Sequence, residues 1–414
     1  MNGRARVDGA RLRADLQALS RLGANPSGDG ITRTGFSRED GLARDWYAGR
    51  VRASGLDLTE DGLGNTFAFD PDADQTVPGV WSGSHLDTVP RGGAFDGAVG
   101  AVAALEVLRR AKELGLRPQR PLRAVVFSDE EGNYGSLLGS TGLCRGWSRA
   151  ELDAMTGRDG DRLTDALAAW GHAQGDPTAT RLEPGALHAF VELHIEQGPV
   201  LEAAGTQIGV VTAIVGIGGG RMRFTGRTDH AGTTPMTARA DALVAAGEFV
   251  SRVPGVARAA GPGAVATCGF VHATPGAANV VAGQAEVSLD FRDLSLERIA
   301  AMDRELRALA LAVGERHGVA AAWEPHEIVP PAPMDAGVQA AVAAAATRLG
   351  HSAMALPSGA GHDSQNMARL APAGMIFIPS IGGRSHSSAE LTAWQDIENG
   401  ANVLSQAMLA LAEG

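Results

Sequence analysis

Short apolar runs alternate with stretches of helical periodicity over the first half of the chain. Residues 77–83 (VPGVWSG) predict a short buried strand, with Pro78 tolerable only near its start. Residues 99–114 carry apolar positions at helical spacing, and 122–128 and 190–195 again read as strands. Strand–helix–strand alternation implies an α/β sheet with helices on its faces. The pattern returns near the C-terminus, in an Ala-rich helix over 336–349 and a strand over 374–379.

The middle of the chain has a different order. Residues 208–228 read as strand, 237–253 as helix, 265–273 and 286–293 as strands, 296–317 as helix and 319–325 as strand. That β-α-β-β-α-β succession is the split arrangement of a ferredoxin-like unit. An inserted domain is therefore expected at 212–326, interrupting an α/β domain with a mixed sheet built from 1–211 and 327–414.

Composition narrows the function classes. With 414 residues, 44% apolar and 20% charged, the chain has enough material for a large core and too little charge for disorder. Lys and Arg total 36 against 47 Asp and Glu, a formal charge of −11, which argues against a nucleic-acid or anionic-membrane partner. The sole lysine, Lys112, sits among Arg109, Arg110 and Glu113 on an expected helix surface, so Schiff-base and P-loop chemistry are disfavoured. Cys144 and Cys268 permit neither a disulfide framework nor a CxxC metal site. Residues 1–19, with Arg4, Arg6, Arg11, Arg13 and Asp15, do not read as a signal peptide. No run approaches the ~20 apolar residues that span a bilayer, and a cytoplasmic location is expected.

Four clusters carry candidate chemistry. His85 and Asp87 follow the 77–83 strand, and Asp96 sits in a Gly-rich turn before the next helix. Ligands in α/β sheets collect at such strand ends; Asp87 is either a ligand or a carboxylate that orients His85. Asp129, Glu130 and Glu131 end the 122–128 strand with no base beside them, a repulsive arrangement that a cation relieves. Glu192, His194 and Glu196 share one side of the next strand, opposite Leu193 and Ile195, and His386 lies in a Gly/Ser loop after the last strand. Taken alone, each cluster has a plainer reading: core histidine and helix cap, solvated turn, edge strand, surface loop. Together, His85, His194 and His386 with Asp96, Glu130 and Glu131 form a set without thiolates. Such a set suits Zn²⁺ or Mn²⁺, with Co²⁺ or Ni²⁺ as alternatives. Five ligands exceed the needs of one catalytic ion and point to two divalent ions sharing a carboxylate, ~3.5–4 Å apart.

In the inserted segment, Arg292 is either a bidentate partner for a substrate carboxylate or half of a salt bridge with a neighbouring Asp. His230 reads as an oxyanion donor or as a turn histidine. His362 and Asp363 open a Gly-rich helix start and are not assigned to the site. His172, His188, His272, His317, His326 and His351 stand outside any cluster.

The motifs GSHLDTVPRGGAFDG (83–97), DEEG (129–132), HIEQGPVLE (194–202), DHAGTTPMTARADAL (229–243), DFRD (290–293), SGAGHDS (358–364) and SHSSAE (385–390) resemble the M20 metallopeptidase clan. Within it they are similar to the hydantoinase/carbamoylase branch, which includes N-carbamoyl-L-amino acid amidohydrolases, allantoate amidohydrolases and β-ureidopropionases. The resemblance implies His85, Asp96, Glu131, His194 and His386 as metal ligands, with Asp96 bridging. It implies Glu130 as general base, Asp87 orienting His85, and Gln197, His230, Asn279, Arg292 and the backbone near Gly361 as substrate contacts. It further implies a homodimer formed through the inserted domain, which also acts as a lid and supplies its histidine to the neighbouring site.

The implied reaction is hydrolysis of the carbamoyl C–N bond of an N-carbamoyl-L-amino acid to the amino acid, ammonia and carbon dioxide. The rivals are allantoate hydrolysis, M20 peptidase or deacylase activity, and a catalytically silent metal-binding protein. Two positions depart from the family pattern. Asn133-Tyr134 stands in a shortened loop where an Arg-Phe pair is usual, which places Tyr134 as a candidate pocket wall, and Ser388 stands where Pro is usual.

Overall fold

The computed structural model describes residues 5–414; Arg4, read above with the N-terminal segment, lies outside them. The chain divides into two compact units, one made of residues up to Thr212 together with Pro333–Gly414, the other of Ala213–Ala332.

The first unit is built on a nine-stranded mixed sheet. Its centre is four neighbouring parallel strands, Leu122–Phe127, Val80–His85, Ala189–Ile195 and Ala373–Ile378. Antiparallel strands flank them, Thr66–Phe69 on one side and Ile208–Ile214 on the other. The two-residue period of a strand sorts side chains between two cores. Ala124, Val126, Val191, Leu193 and Ile195 pack with helices Asp96–Glu113 and Trp394–Ala412, while Trp81, Val125, Phe127 and Phe190 pack on the opposite face. The Asp96–Glu113 helix is buried continuously from Asp96 to Arg109, which explains its run of Ala, Val and Gly. A Cβ at Gly97 would lie 2.2 Å from the His85 ring, and one at Gly100 2.2 Å from the Leu193 carbonyl. Those two glycines let the helix start lie directly against the ends of the strands.

Register brings the strand ends to one edge. His85 pairs with Phe127, and His194 with Phe377. The loops beyond that edge carry Asp87, Glu130, Glu131, Gln197 and His386.

The second unit has an antiparallel sheet in the order Val271–Thr274, Gln284–Asp293, Gly216–Thr225, Ala320–Pro325, with Val265–Thr267 also paired to Gln284–Asp293. Helices Ala242–Ala260 and Leu296–His317 share its core with Met222, Phe224, Val287 and Phe291.

Three expected elements differ. The strand expected over 208–228 is two, Ile208–Ile214 in the large sheet and Gly216–Thr225 in the smaller one, because the chain passes from one unit to the other there. The helix expected over 237–253 starts instead at Ala242, where the Asp241 carboxylate accepts from the Leu243 and Val244 amides. It then runs through Pro254 to Ala260, held by buried Val253 and Ala257 against the sheet. The strand expected over 265–273 is broken, because the Ser288 hydroxyl takes the Gly269 and Phe270 amides (both 3.0 Å) out of the ladder.

Candidate metal centre

Two imidazoles present the same nitrogen to a common point. His85 donates from Nδ1 to the Asp87 carbonyl at 2.9 Å, and His194 from Nδ1 to the Ile195 carbonyl at 2.9 Å. Each proton is thereby held on Nδ1, leaving the Nε2 lone pair free for a ligand. His85 Nε2 lies 3.5 Å from Glu130, and His194 Nε2 lies 3.5 Å from Asp96 Oδ1. His386, half exposed, brings Nε2 to 3.5 Å from Asp96 Oδ2 and 3.4 Å from Glu131. Asp96 therefore stands between His194 and His386, one oxygen toward each.

Ligand atoms converge within 4.8 Å in the groups His85–Asp96–His194 and Asp96–Glu131–His386, and Asp96 belongs to both. A third such group, His85–Glu130–Glu131, adds the candidate base. The grouping Glu192–His194–His362 is closed by hydrogen bonds instead. Glu192 accepts from the Ser84 hydroxyl (2.7 Å) and from the Ser364 amide and hydroxyl (3.1 and 2.6 Å), and His362 meets the Ser358 hydroxyl at 2.9 Å.

The electrostatics favour a cation. Burial, then the charge of Glu131, pushes the Glu130 carboxyl well above its usual range. Burial, then Asp96, pushes Glu131 up to about 10. Burial also works against ionised Asp96, but a hydrogen bond from His386, and then the charge that His194 and His85 carry when protonated, outweigh it and hold that carboxyl below the usual range. No lysine or arginine pairs with these three carboxylates among the described residues. Glu131 Oε1, Asp87 Oδ1 and Gln197 Oε1 are buried without hydrogen-bond partners. Donor set, convergence and unpartnered oxygens fit two divalent ions.

Supporting residues fix this frame. The Asp87 carboxylate lies 3.7 Å from His85 and accepts from the Glu131 amide at 3.0 Å. Orientation of His85, assigned above to the Asp87 carboxylate, thus comes from its carbonyl, while the carboxylate ties two clusters together. Gln197 donates to Asp96 at 2.9 Å and to Ser385 at 3.2 Å. The buried Arg33 guanidinium donates to the Leu86, Leu19 and Leu22 carbonyls, stapling the segment that carries Asp87. Asp129 (φ 49°), Gln197 (φ 60°) and His386 (φ 52°) all adopt left-handed backbone, which non-glycine residues keep only where surroundings enforce it. Gly361 immediately precedes His362, whose ring is 4.5 Å from that of His194.

Sequence reasoning missed Glu390. Its Oε1 accepts from the Phe95 and Asp96 amides (3.0 and 3.1 Å) and caps a helix that has no cap of its own. A glutamate 294 residues away leaves no local capping signal. His362 and Glu192 also belong to the surroundings of His194; alternation showed Glu192 on its side of the strand, and only packing shows His362.

His230, Asn279 and Arg292 lie in the second unit. The Ala231 amide bonds the Asn279 carbonyl at 3.0 Å, so the segments of His230 and Asn279 are adjacent. His230 Nδ1 accepts from the Gly232 and Thr233 amides (3.0 and 3.2 Å), which places its proton on Nε2. Arg292 makes a two-point ion pair with Asp290 (2.8 and 3.0 Å), the salt-bridge alternative left open above. Tyr134 packs edge-on against Phe36 and donates to Asp161.

The model of the family described as peptidase family M20/M25/M40 matches residues 81–410. The chain belongs to this family. Among its curated relatives, this M20 chain is 36% identical to the N-carbamoyl-L-amino-acid amidohydrolase of Paenarthrobacter aurescens over 97% of each chain. It is 33% identical to the allantoate amidohydrolase of Bacillus subtilis over 96% of each. The structure superposes on a hydantoinase/carbamoylase-family amidase from Burkholderia vietnamiensis with a TM-score of 0.91, at 36% identity over the whole of both chains. The M20 protein is an amidohydrolase of the hydantoinase/carbamoylase branch. Among the described residues no helix is long and apolar enough to cross a membrane.

Proposed function

We propose that this amidohydrolase hydrolyses the carbamoyl C–N bond of N-carbamoyl-L-amino acids, releasing the L-amino acid, ammonia and carbon dioxide. The observation that carries the reading is Asp96 standing between two imidazole-bearing ligand groups, with Glu130 beside them. His85, Asp96 and His194 would hold one divalent ion, and Asp96, Glu131 and His386 the other, with Zn²⁺ or Mn²⁺ suiting the donors. When bound, such ions would lower the pKa of a water toward neutrality and would polarise the scissile carbonyl.

Glu130 takes the proton of the attacking water and returns it to the leaving nitrogen. Its place beside both ligand groups puts it within reach of a water held there. His230, with its proton on Nε2, donates to the developing oxyanion. Arg292 and Asn279 hold the substrate carboxylate, for which Arg292 exchanges its present partner Asp290, and Gln197 and the backbone near Gly361 contact the carbamoyl group. In the same reading the second unit is a ferredoxin-like lid that pairs two subunits, supported by its strand order and by the family resemblance.

Allantoate is the second reading, supported by near-equal similarity to an allantoate amidohydrolase. Ammonia release from a panel of N-carbamoyl-L-amino acids against allantoate separates the two. Glu130→Gln is expected to lower kcat by ~10²–10⁴ or more while sparing metal content. Unchanged turnover in that variant removes Glu130 from the mechanism.

A further inference from the structure

The loop after Glu131 forms one wall of a cavity in the first unit that the reaction above does not use. It is an open cleft of about 580 Å³, within the range of small-molecule sites. Phe36, Tyr134 and Trp170 line it, with Asp45, Asp159 and Asp161. The Phe36 ring meets Tyr134 at 5.7 Å and Trp170 at 5.0 Å, both edge-on. The three acids outnumber the one arginine of the lining, Arg38, whose side chain is 83% exposed. Trp170 Nε1 is buried and donates to nothing in the protein.

We propose that this cavity is a second ligand site, for a small organic cation with a compact apolar body. Aromatic faces attract cations through their quadrupoles, and the carboxylates add a field of the same sense. The same carboxylates repel anions, so the ureido-acid substrate is a poor occupant, and the inference does not depend on the function proposed above. The wall is built rather than slack. Asp129 holds it by accepting from the amides of Asn133 (2.7 Å), Tyr134 (2.8 Å) and Gly135 (3.1 Å). Arg44, itself buried, stands over the Trp170 ring at 5.4 Å, so that ring already meets one cation of the protein.

Titration calorimetry on the intact metal-loaded protein tests the proposal with three probes of similar shape. They are 2-phenylethylammonium, neutral 2-phenylethanol and anionic 3-phenylpropionate. The ammonium is expected to bind saturably, about tenfold tighter than the alcohol, with the carboxylate giving no heat assignable to this site. The double variant Asp45→Asn, Asp159→Asn, at two exposed positions, is expected to weaken the ammonium about tenfold and leave the melting temperature unchanged. Trp170→Leu is expected to abolish its binding. Equal affinity for ammonium and alcohol, unchanged affinity in both variants, or absence of saturable ammonium binding overturns the proposal.

Discussion

His230 shows how a single side chain is prepared by its own backbone. Two successive amides point at Nδ1, so the imidazole meets a ligand as a donor from Nε2. Nitrogen-15 spectra of histidine-labelled protein, with the resonance assigned by its loss in His230→Asn, are expected to show a pyrrole-type Nε2 and a pyridine-type Nδ1. The opposite tautomer contradicts the geometry. Asp61 is a second residue with a measurable signature. Burial pushes its carboxyl from 3.8 up to about 6, against hydrogen bonds from Asn65 and Leu63. The folded state therefore holds this proton more tightly than the unfolded chain. The resulting stabilisation is complete below pH 3.8 and lost as pH rises through about 6. The size is on the order of 3 kcal/mol. Urea unfolding of Asp61→Asn against the parent should show a stability difference that moves in favour of the variant across that window and levels off above it. A difference independent of pH counts against the assignment.

At the scale of elements, the central strands and the long helices were legible because burial on one or both faces imposes a strict apolar period. Alternation in Glu192-Leu193-His194-Ile195 placed the acid and the histidine together, and the structure keeps them there. Illegible were events decided by one polar side chain reaching the backbone. Ser288 breaks a strand, and Asp241 delays a helix. Glu390 belongs to the same class, since it caps the Asp96–Glu113 helix from the far end of the sequence. Glu390→Ala leaves two buried amides without an acceptor and is expected to cost about 2–6 kcal/mol in chemical denaturation, about 1–3 for each unsatisfied group. Glu390→Gln keeps a side-chain carbonyl for those amides and should retain most of the stability. Equal loss in both variants would assign the effect to charge rather than to capping.

Over the whole molecule, ions bound among the buried carboxylates of the site would make folding and metal binding one equilibrium. Without cations, Glu130 and Glu131 are pushed far above their usual range, and a bound ion relieves that strain. Chelation is therefore expected to abolish turnover and to lower Tm, with re-addition of Zn²⁺ or Mn²⁺ restoring both. A single ion at a hundred times its Kd contributes about 2.7 kcal/mol. A melting temperature indifferent to chelation, in protein shown by elemental analysis to have lost its metal, would contradict two ions bound among these residues.

The linear order of residues determined which side chains were available and which local element each sat on, because apolar periodicity and strand-end position are properties of neighbours in the chain. Hence His85, His194 and His386 with Asp96, Glu130 and Glu131 stood out as a candidate set from the order of residues, while the family resemblance implied which five of them would be ligands. Tertiary structure alone decided how they meet: that Asp96 divides its oxygens between two imidazoles, that the carbonyl of Asp87 rather than its carboxylate aims His85, and that Arg292 rests on Asp290. The first outcome depends on segments far apart in the chain, which parallel strand register and helix glycines that admit close approach bring together. The other two are contacts between residues two apart, where packing around the side chains selects one partner from several that the local sequence allows.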